Sequence, residues 1–322
     1  MQIKSNPFKN KKIAVIGDIC LDKFTEGKIE RINPEQPAAS LVRIEKEYYI
    51  LGAAANVANN ISALGSPCTL YGVLGKDQNG EIFKNLCKKN KIILKSFKSN
   101  QKTTLKQRLV ADGYQVARMD FGENNLHKID IKLQSKIFSK LKKDIKKIDV
   151  LVLSDYNKII FTKGFSQKII KLANKHNIKT VVDPKPENID FFKDCTIICP
   201  NKKESENITQ IRYLKEEKSI SNIVKKMKEK TNSKYIVMTC GEDGVVGYNP
   251  KNDELSIIET RARTVRDVTG AGDTFAAVLA LGFVSKFSFK EILNIANHAA
   301  GLVVEKQGTA TINYKELFEN LK

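Results

Sequence analysis

Six short, nearly unbroken apolar runs, at residues 12–16, 68–74, 150–153, 180–182, 196–199 and 235–239, leave this chain few folds to choose from. A strand wetted on one face alternates polar and apolar residues, whereas a continuous run marks a strand covered on both faces, as in a parallel sheet between helices. Helical periodicity fills the gaps, at 53–64, 80–89, 131–142, 163–176 and 221–230. The alternation predicts a layered α/β/α domain. Two stretches depart from it. Residues 38–49 alternate with no helix after them, and 105–111 pair with 114–121 across the turn Asp112-Gly113. Both point to a small separate sheet, fed by excursions at about 31–50 and 103–122 from one domain spanning 1–322. Lying as a lid over a reactive site, such a sheet would exclude water.

Composition narrows the function classes. With 322 residues and 41% hydrophobic content the chain can bury a sizeable core. No apolar stretch is long enough to span a bilayer, and the first residues lack the apolar block of a secretory leader, so a cytoplasmic location is expected. The cysteines at 20, 68, 87, 195, 199 and 240 form no close pairs and read as buried thiols. His127, His176 and His298 share no ligand spacing, which argues against zinc. The net charge of +19 would suit nucleic acid, membranes or small phosphorylated ligands. Its lysines, however, are spread over helical faces such as 136–147 and 225–230 with little aromatic interleaving, so solvated helix faces explain most of them and no nucleic-acid partner is expected.

The segment Val265-Arg-Asp-Val-Thr-Gly-Ala-Gly-Asp-Thr274 carries the chemistry. Gly270, Ala271 and Gly272 let the backbone approach an anion, and the run 275–283 reads as the apolar helix that this turn opens. Unsatisfied N–H groups there would face a phosphate. Asp273 at the same mouth would take a proton from a hydroxyl while the turn stabilises a phosphoryl group in transit. A plain glycine-rich helix start explains the glycines but gives no reason for a carboxylate where anions bind. The pairing suggests a kinase. Asp18 and Asp22 are read as flanking a turn after the first strand, with acceptors for sugar hydroxyls; Asp22 as a loop carboxylate is the plainer alternative. Asn56 would add a donor and an acceptor, unless it merely faces solvent from its helix. Thr239-Cys-Gly-Glu-Asp-Gly244 offers a second glycine-rich turn, with Thr239, Gly241 and Gly244 suited to nucleotide phosphates or to an ordinary hairpin.

From about residue 11 onward the sequence resembles the ribokinase-like, or phosphofructokinase-B type, carbohydrate kinases. Gly17-Asp18, Gly52 to Asn56, Asn201 to Glu204 and Asp267 to Thr274 stand in that family's order. Gly17-Asp-Ile-Cys-Leu-Asp22, Arg31-Ile-Asn-Pro-Glu-Gln-Pro37 and Gly52-Ala-Ala-Ala-Asn-Val-Ala58 look most like its D-glycero-β-D-manno-heptose 7-phosphate kinases, as do Leu153-Ser-Asp-Tyr156, Asp183-Pro-Lys185 and Lys306-Gln-Gly-Thr309. Leu51 and Asn33 depart from the glycine and serine common in such relatives. Those enzymes resemble one half of a bifunctional protein whose other half is a nucleotidyltransferase. No His-x-Gly-His signature of nucleotidyl transfer occurs here, so a kinase-only form is expected.

The resemblance implies a ribokinase-like three-layer α/β/α sandwich with a β-sheet lid, a dimer formed through that lid, and transfer of the γ-phosphate of ATP to the anomeric hydroxyl of a heptose 7-phosphate. Asp273 would be the base beside Gly270, Ala271 and Gly272. Asp18, Asp22, Asn33, Gly52 and Asn56 would hold the sugar, and Arg108, Arg118, Lys158 and Lys185 its phosphate. From pattern alone, Arg108 and Arg118 read equally well as exposed strand charges. Asn201, Lys202, Lys203 and Glu204 resemble the family's Asn-x-x-Glu element, with Glu204 ordering magnesium through water or, more simply, opening a helix as a first-turn carboxylate. Asn297 would line the adenine pocket, and Asp267 with Thr269 would hold a monovalent cation, potassium. The rival readings are another ribokinase-like sugar kinase and a catalytically silent sugar-nucleotide sensor.

Overall fold

The computed structural model describes residues 5–36, 40–122, 129–260, 265–306, 308–319 and 321. Pro37, His127 and Gln307, named above, lie outside them. Two strands with nothing but Asp18 between them set the plan: β1 (Ile13–Gly17) belongs to the main sheet, and β2 (Ile19–Ile32) leaves it at once for a second one. The turn expected between Asp18 and Asp22 is therefore absent, because Ile19 already pairs with Ala53.

The second sheet has four strands. β3 (Ser40–Ala53) returns antiparallel along β2, while β6 (Leu105–Ala111) runs parallel to β2 and forms a hairpin with β7 (Tyr114–Phe121); between them in sequence come β4 (Cys68–Leu74) and β5 (Ile93–Lys98) of the main sheet. Asp112 and Gly113 both take positive φ, 50° and 85°, as the expected two-residue turn requires. β6 and β7 thus form one excursion over residues 105–121, and β2 with β3, 14 residues each, form a longer one whose main-sheet end is the Ile19–Ala53 pair.

The main sheet continues with β8 (Val150–Ser154), β9 (Lys179–Asp183), β10 (Ile197–Ile198), β11 (Tyr235–Thr239), β12 (Val245–Asn249) and β13 (Glu254–Ile258), in the order β13-β12-β11-β10-β9-β8-β1-β4-β5. It is parallel from β5 to β11, and only β12 and β13 run antiparallel. Along β1, Ile13 and Val15 enter one core while Ala14 and Ile16 enter the other, which explains the unbroken apolar run. The first face is covered by α1 (Ala54–Ala63), α2 (Gln78–Lys89), α7 (Ala271–Gly282), α8 (Phe289–Val304) and α9 (Tyr314–Glu319); the second by α3 (Ile131–Asp144), α4 (Lys163–Lys175), α5 (Lys202–Thr209) and α6 (Glu217–Thr231). This is the expected three-layer α/β/α arrangement. All six cysteines are free and buried.

β1 lies between β8 and β4, so successive connections leave in opposite directions there, and the carboxyl ends of those strands border a crevice of the kind that takes ligands in open α/β sheets. The backbones close tightly at this point. A Cβ on Gly17 would sit 2.2 Å from the Ser154 carbonyl oxygen, so no larger residue fits.

Candidate active site

The N-terminus of α7 opens onto the crevice. Gly270 caps it in the left-handed region, at φ 84°, without a side-chain bond to the first-turn amides. Residues 273–282 of the helix are buried, as the apolar run predicted, and a Cβ on Gly272 would meet nothing within 4 Å. The amide of Ala271 is bonded to the Val268 carbonyl, while Gly272 and Asp273 border a cleft also lined by Tyr156, Asp183, Lys185, Asn201 and Glu204 among others.

Asp273 is 8% exposed. Asn56 Nδ2 donates to its Oδ2 at 2.8 Å, and Tyr156 Oη donates to its Oδ1 at 2.8 Å. Asn56 is itself held: Asn60 Nδ2 donates to its backbone oxygen at 3.0 Å, and Thr274 Oγ1 donates to Asn60 Oδ1 at 2.9 Å, lacing α1 to α7. Burial pushes the Asp273 carboxyl up from 3.8; the bonds from Asn56 and Tyr156 pull it back, the charge of Asp22 raises it and Lys185 lowers it, leaving it at about 6. Such a carboxylate is ionised near neutrality yet basic enough to accept a proton from an alcohol.

Asp18 sits at the same mouth but is occupied. Its Oδ2 accepts from the amides of Tyr156 and Lys158 at 3.3 and 3.0 Å, its Oδ1 from Ile159 and Ile160 at 2.9 Å each. In this structure Asp18 folds the 156–160 loop onto β1, a role the sequence reading did not give it. Asp22 pairs with Arg108 at 2.5 Å, and a Cβ on Gly52 would meet Asp22 Oδ2 at 2.0 Å. Leu51 causes no strain at the sheet exit, because the positive φ falls on Ala53, at 55°.

A second cleft lies between the main sheet and β6, lined by Asp18, Cys20, Ala53, Lys102, Lys106, Tyr156 and Lys158 among others. Lys158, expected to hold the sugar's phosphate, lines this cleft beside Lys102 and Lys106, neither of which carried an expectation from sequence. Lys185 is elsewhere: it lines the other cleft, bonded to Glu204, and the Glu204 and Asp183 charges outweigh burial and hold its ammonium above the usual range. Arg108 stands opposite Arg118 across β6 and β7, and neither lines either of these two clefts; Arg118 bonds Asp120 at 2.7 Å on the exposed strand. Asn33 is carried to the far end of β2, roughly 45 Å of strand from Asp18, and does not join the others.

On the nucleotide side, Asn201 and Glu204 form a reciprocal capping box on α5, so the first-turn role weighed for Glu204 is realised. Lys202 bonds Asp243 at 3.1 Å, and Lys203 is exposed. Thr239 bridges Asn201, and the turn carrying Gly241 and Gly244 is the β11–β12 hairpin, one of the alternatives weighed. Asn297 donates to the Glu259 carbonyl at 2.8 Å and lines neither cleft. Asp267 accepts from the amides of Thr269 and Gly308 at 2.9 and 3.1 Å, which hold its carboxyl below the usual range against burial.

This donor set fits a nucleotide with magnesium. The α7 amides and the open faces of Gly272 and Gly241 suit phosphates. Among the described residues no three acidic or histidine side chains form a ready metal cage. Magnesium needs none, since it binds through one or two carboxylates, waters and phosphates.

Tyr156 and Asp183 had no role in the sequence reading, although both fall in motifs singled out there. Asp183 lines the nucleotide-side cleft, and burial, then Glu204, hold its carboxyl well above the usual range. A tyrosine after Ser154-Asp155 at a strand end was the available signal for Tyr156; its contact with Asp273 spans 117 residues and leaves no local trace.

The family described as pfkB family carbohydrate kinase matches residues 10–316. The bifunctional protein HldE of Aliarcobacter butzleri is 38% identical over 313 residues, 97% of this chain and 64% of that protein. HldE of Helicobacter pylori (strain Shi470) is 35% identical over 309 residues, covering 95% and 65%. The chain thus spans somewhat less than two thirds of these relatives. Among solved structures, phosphofructokinase-2 from Escherichia coli in complex with potassium superposes with TM-score 0.76 at 18% identity, covering 96% and 97% of the two chains. Arabidopsis thaliana ribokinase complexed with ribose and ATP gives 0.73 at 20%, covering 97% and 99%.

Proposed function

The chain belongs to the pfkB family of carbohydrate kinases, and we propose that it phosphorylates the anomeric hydroxyl of D-glycero-D-manno-heptose 7-phosphate with ATP, giving the 1,7-bisphosphate for ADP-heptose biosynthesis and so for lipopolysaccharide or related surface glycans. One observation carries the reading: Asp273 lines the cleft at the start of α7 and bonds Tyr156, which also lines the neighbouring cleft together with three lysines. In this reading the amides receive the migrating phosphoryl group, Asp273 takes the hydroxyl proton, and Lys102, Lys106 and Lys158 grip the sugar's own phosphate. ATP supplies the phosphoryl group, and magnesium, reached from Glu204 through water, offsets its charge. Potassium beside Asp267 and Thr269 belongs to the same reading. So does a cytoplasmic location; no helix among the described residues is long and apolar enough to cross a membrane.

The four-stranded sheet acts as the lid. Ile29, Ile32, Ile44, Val116, Met119 and Phe121 are exposed on it, which supports pairing with a second copy of the chain. The deciding experiment is a panel of sugar phosphates with ATP, followed by ADP release, with the phosphorylated position read by phosphorus NMR. Preference for a hexose phosphate would overturn the heptose assignment. Ligand-induced stabilisation without ADP release would leave only a binding protein.

A further inference from the structure

Tyr156 is the one residue among those described that lines both clefts. Its backbone N–H is tied to Asp18, its ring lies 5.7 Å from Lys185 Nζ, and its hydroxyl bonds Asp273. We infer that Tyr156 is a positioning residue for phosphoryl transfer: its hydroxyl holds the Asp273 carboxylate as an oriented anion, and its ring walls the acceptor cleft from the nucleotide cleft.

A carboxylate offers about four lone-pair directions. Tyr156 takes one on Oδ1 and Asn56 one on Oδ2, so each oxygen keeps another for an incoming hydroxyl. The tyrosine need not leave for the reaction to proceed. It fixes which way the base faces, and as a donor it favours the charged form that catalysis requires. Other groups bearing on Asp273 are Asp22 and Cys20 from β2 and Asp183 and Lys185 from the end of β9, with Asn56 from α1 as the second neutral donor. None of them touches both clefts. The inference rests on Asp273 being the base in the reading above.

Two variants separate the two roles. Tyr156→Phe keeps the ring and removes the donor; the acid limb of the kcat/KM profile should move up by about one pH unit, the loss of one charge-assisted hydrogen bond, with KM for ATP unchanged. Titration of the sugar's own phosphate is common to both proteins and cancels. Tyr156→Ala also removes the wall and should raise ADP release without sugar several-fold above the parent. An acid limb that stays in place, or an Ala variant with no added ADP release, overturns the corresponding role. Should the parent phosphorylate none of the panel, the activity reading fails, but ¹³C NMR of the Asp273 carboxyl in the free protein still decides. An identical titration midpoint in parent and Phe variant defeats the inference without any substrate.

Discussion

Asn56 donates a 2.8 Å hydrogen bond to Asp273 across 217 residues of chain, joining the first helix to the seventh at the mouth of the crevice. With Tyr156 on the other oxygen, the carboxylate is held from two layers of the fold at once. Burial there has a thermodynamic consequence. A group whose folded-state value lies above its unfolded one binds its proton more tightly when folded, so the protein loses stability as pH rises between 3.8 and about 6 and does not recover it above.

Asp273→Asn should therefore lower turnover by roughly a hundredfold or more, the range for loss of a general base, while ATP still binds. The same variant should be more stable than the parent near pH 8, by up to about 3 kcal/mol, with the advantage closing towards pH 4. Thermal unfolding across pH, beside an ADP-release assay, checks both. Near-normal turnover would remove Asp273 from the role of base.

Asp18→Asn should act on stability first. Four backbone amides point at the Asp18 carboxylate, and an amide side chain cannot accept all of them. The expected loss is about 2–4 kcal/mol, read as a lower denaturation midpoint. An unchanged midpoint with a weakened sugar KM would restore Asp18 as a sugar ligand.

Lys106→Ala should raise KM for the sugar phosphate roughly tenfold and leave that for ATP within about twofold, as expected for one lost charge-assisted contact. Arg118→Ala should shift neither by more than about twofold, since its guanidinium engages Asp120 on an exposed strand. Equal effects from the two would return Arg118 to the site.

Gly17→Ala should yield little soluble protein. Its Cβ would fall 2.2 Å from the Ser154 oxygen and 2.8 Å from the Ala54 Cβ, both on packed elements that cannot retreat. Expression yield and melting of whatever folds would show it, and a normal melting curve would mean that β1 and β8 can separate.

The layered fold was legible because each buried strand writes its own signal: Val150 to Leu153 and Tyr235 to Thr239 are continuous apolar runs, and Asp112-Gly113 is a local turn with a local cause. The glycine turn and the first-turn carboxylate proposed as base were legible for the same reason, since Gly270 to Asp273 are adjacent in sequence. Less legible was whatever depends on distant partners. Nothing near Asp18 reveals that its oxygens serve amides about 140 residues away, and Asp18 and Asp22 looked like the edges of a turn because charges interrupt β2. Lys106 and Arg108 are two residues apart and share one face of β6; what separates them is that Arg108 is taken by Asp22 on the neighbouring strand while Lys106 lines the cleft, a difference with no local signal.

The burial of every thiol supplies a reporter that needs no turnover. Burial raises the Cys20 thiol far out of its ordinary range, and it lies in the lysine-lined cleft, whereas Cys68 and Cys195 sit deep in opposite cores. Alkylation of the native protein therefore clocks local opening, and an occupant of that cleft will slow modification at position 20 while leaving the deep pair at the pace of global unfolding.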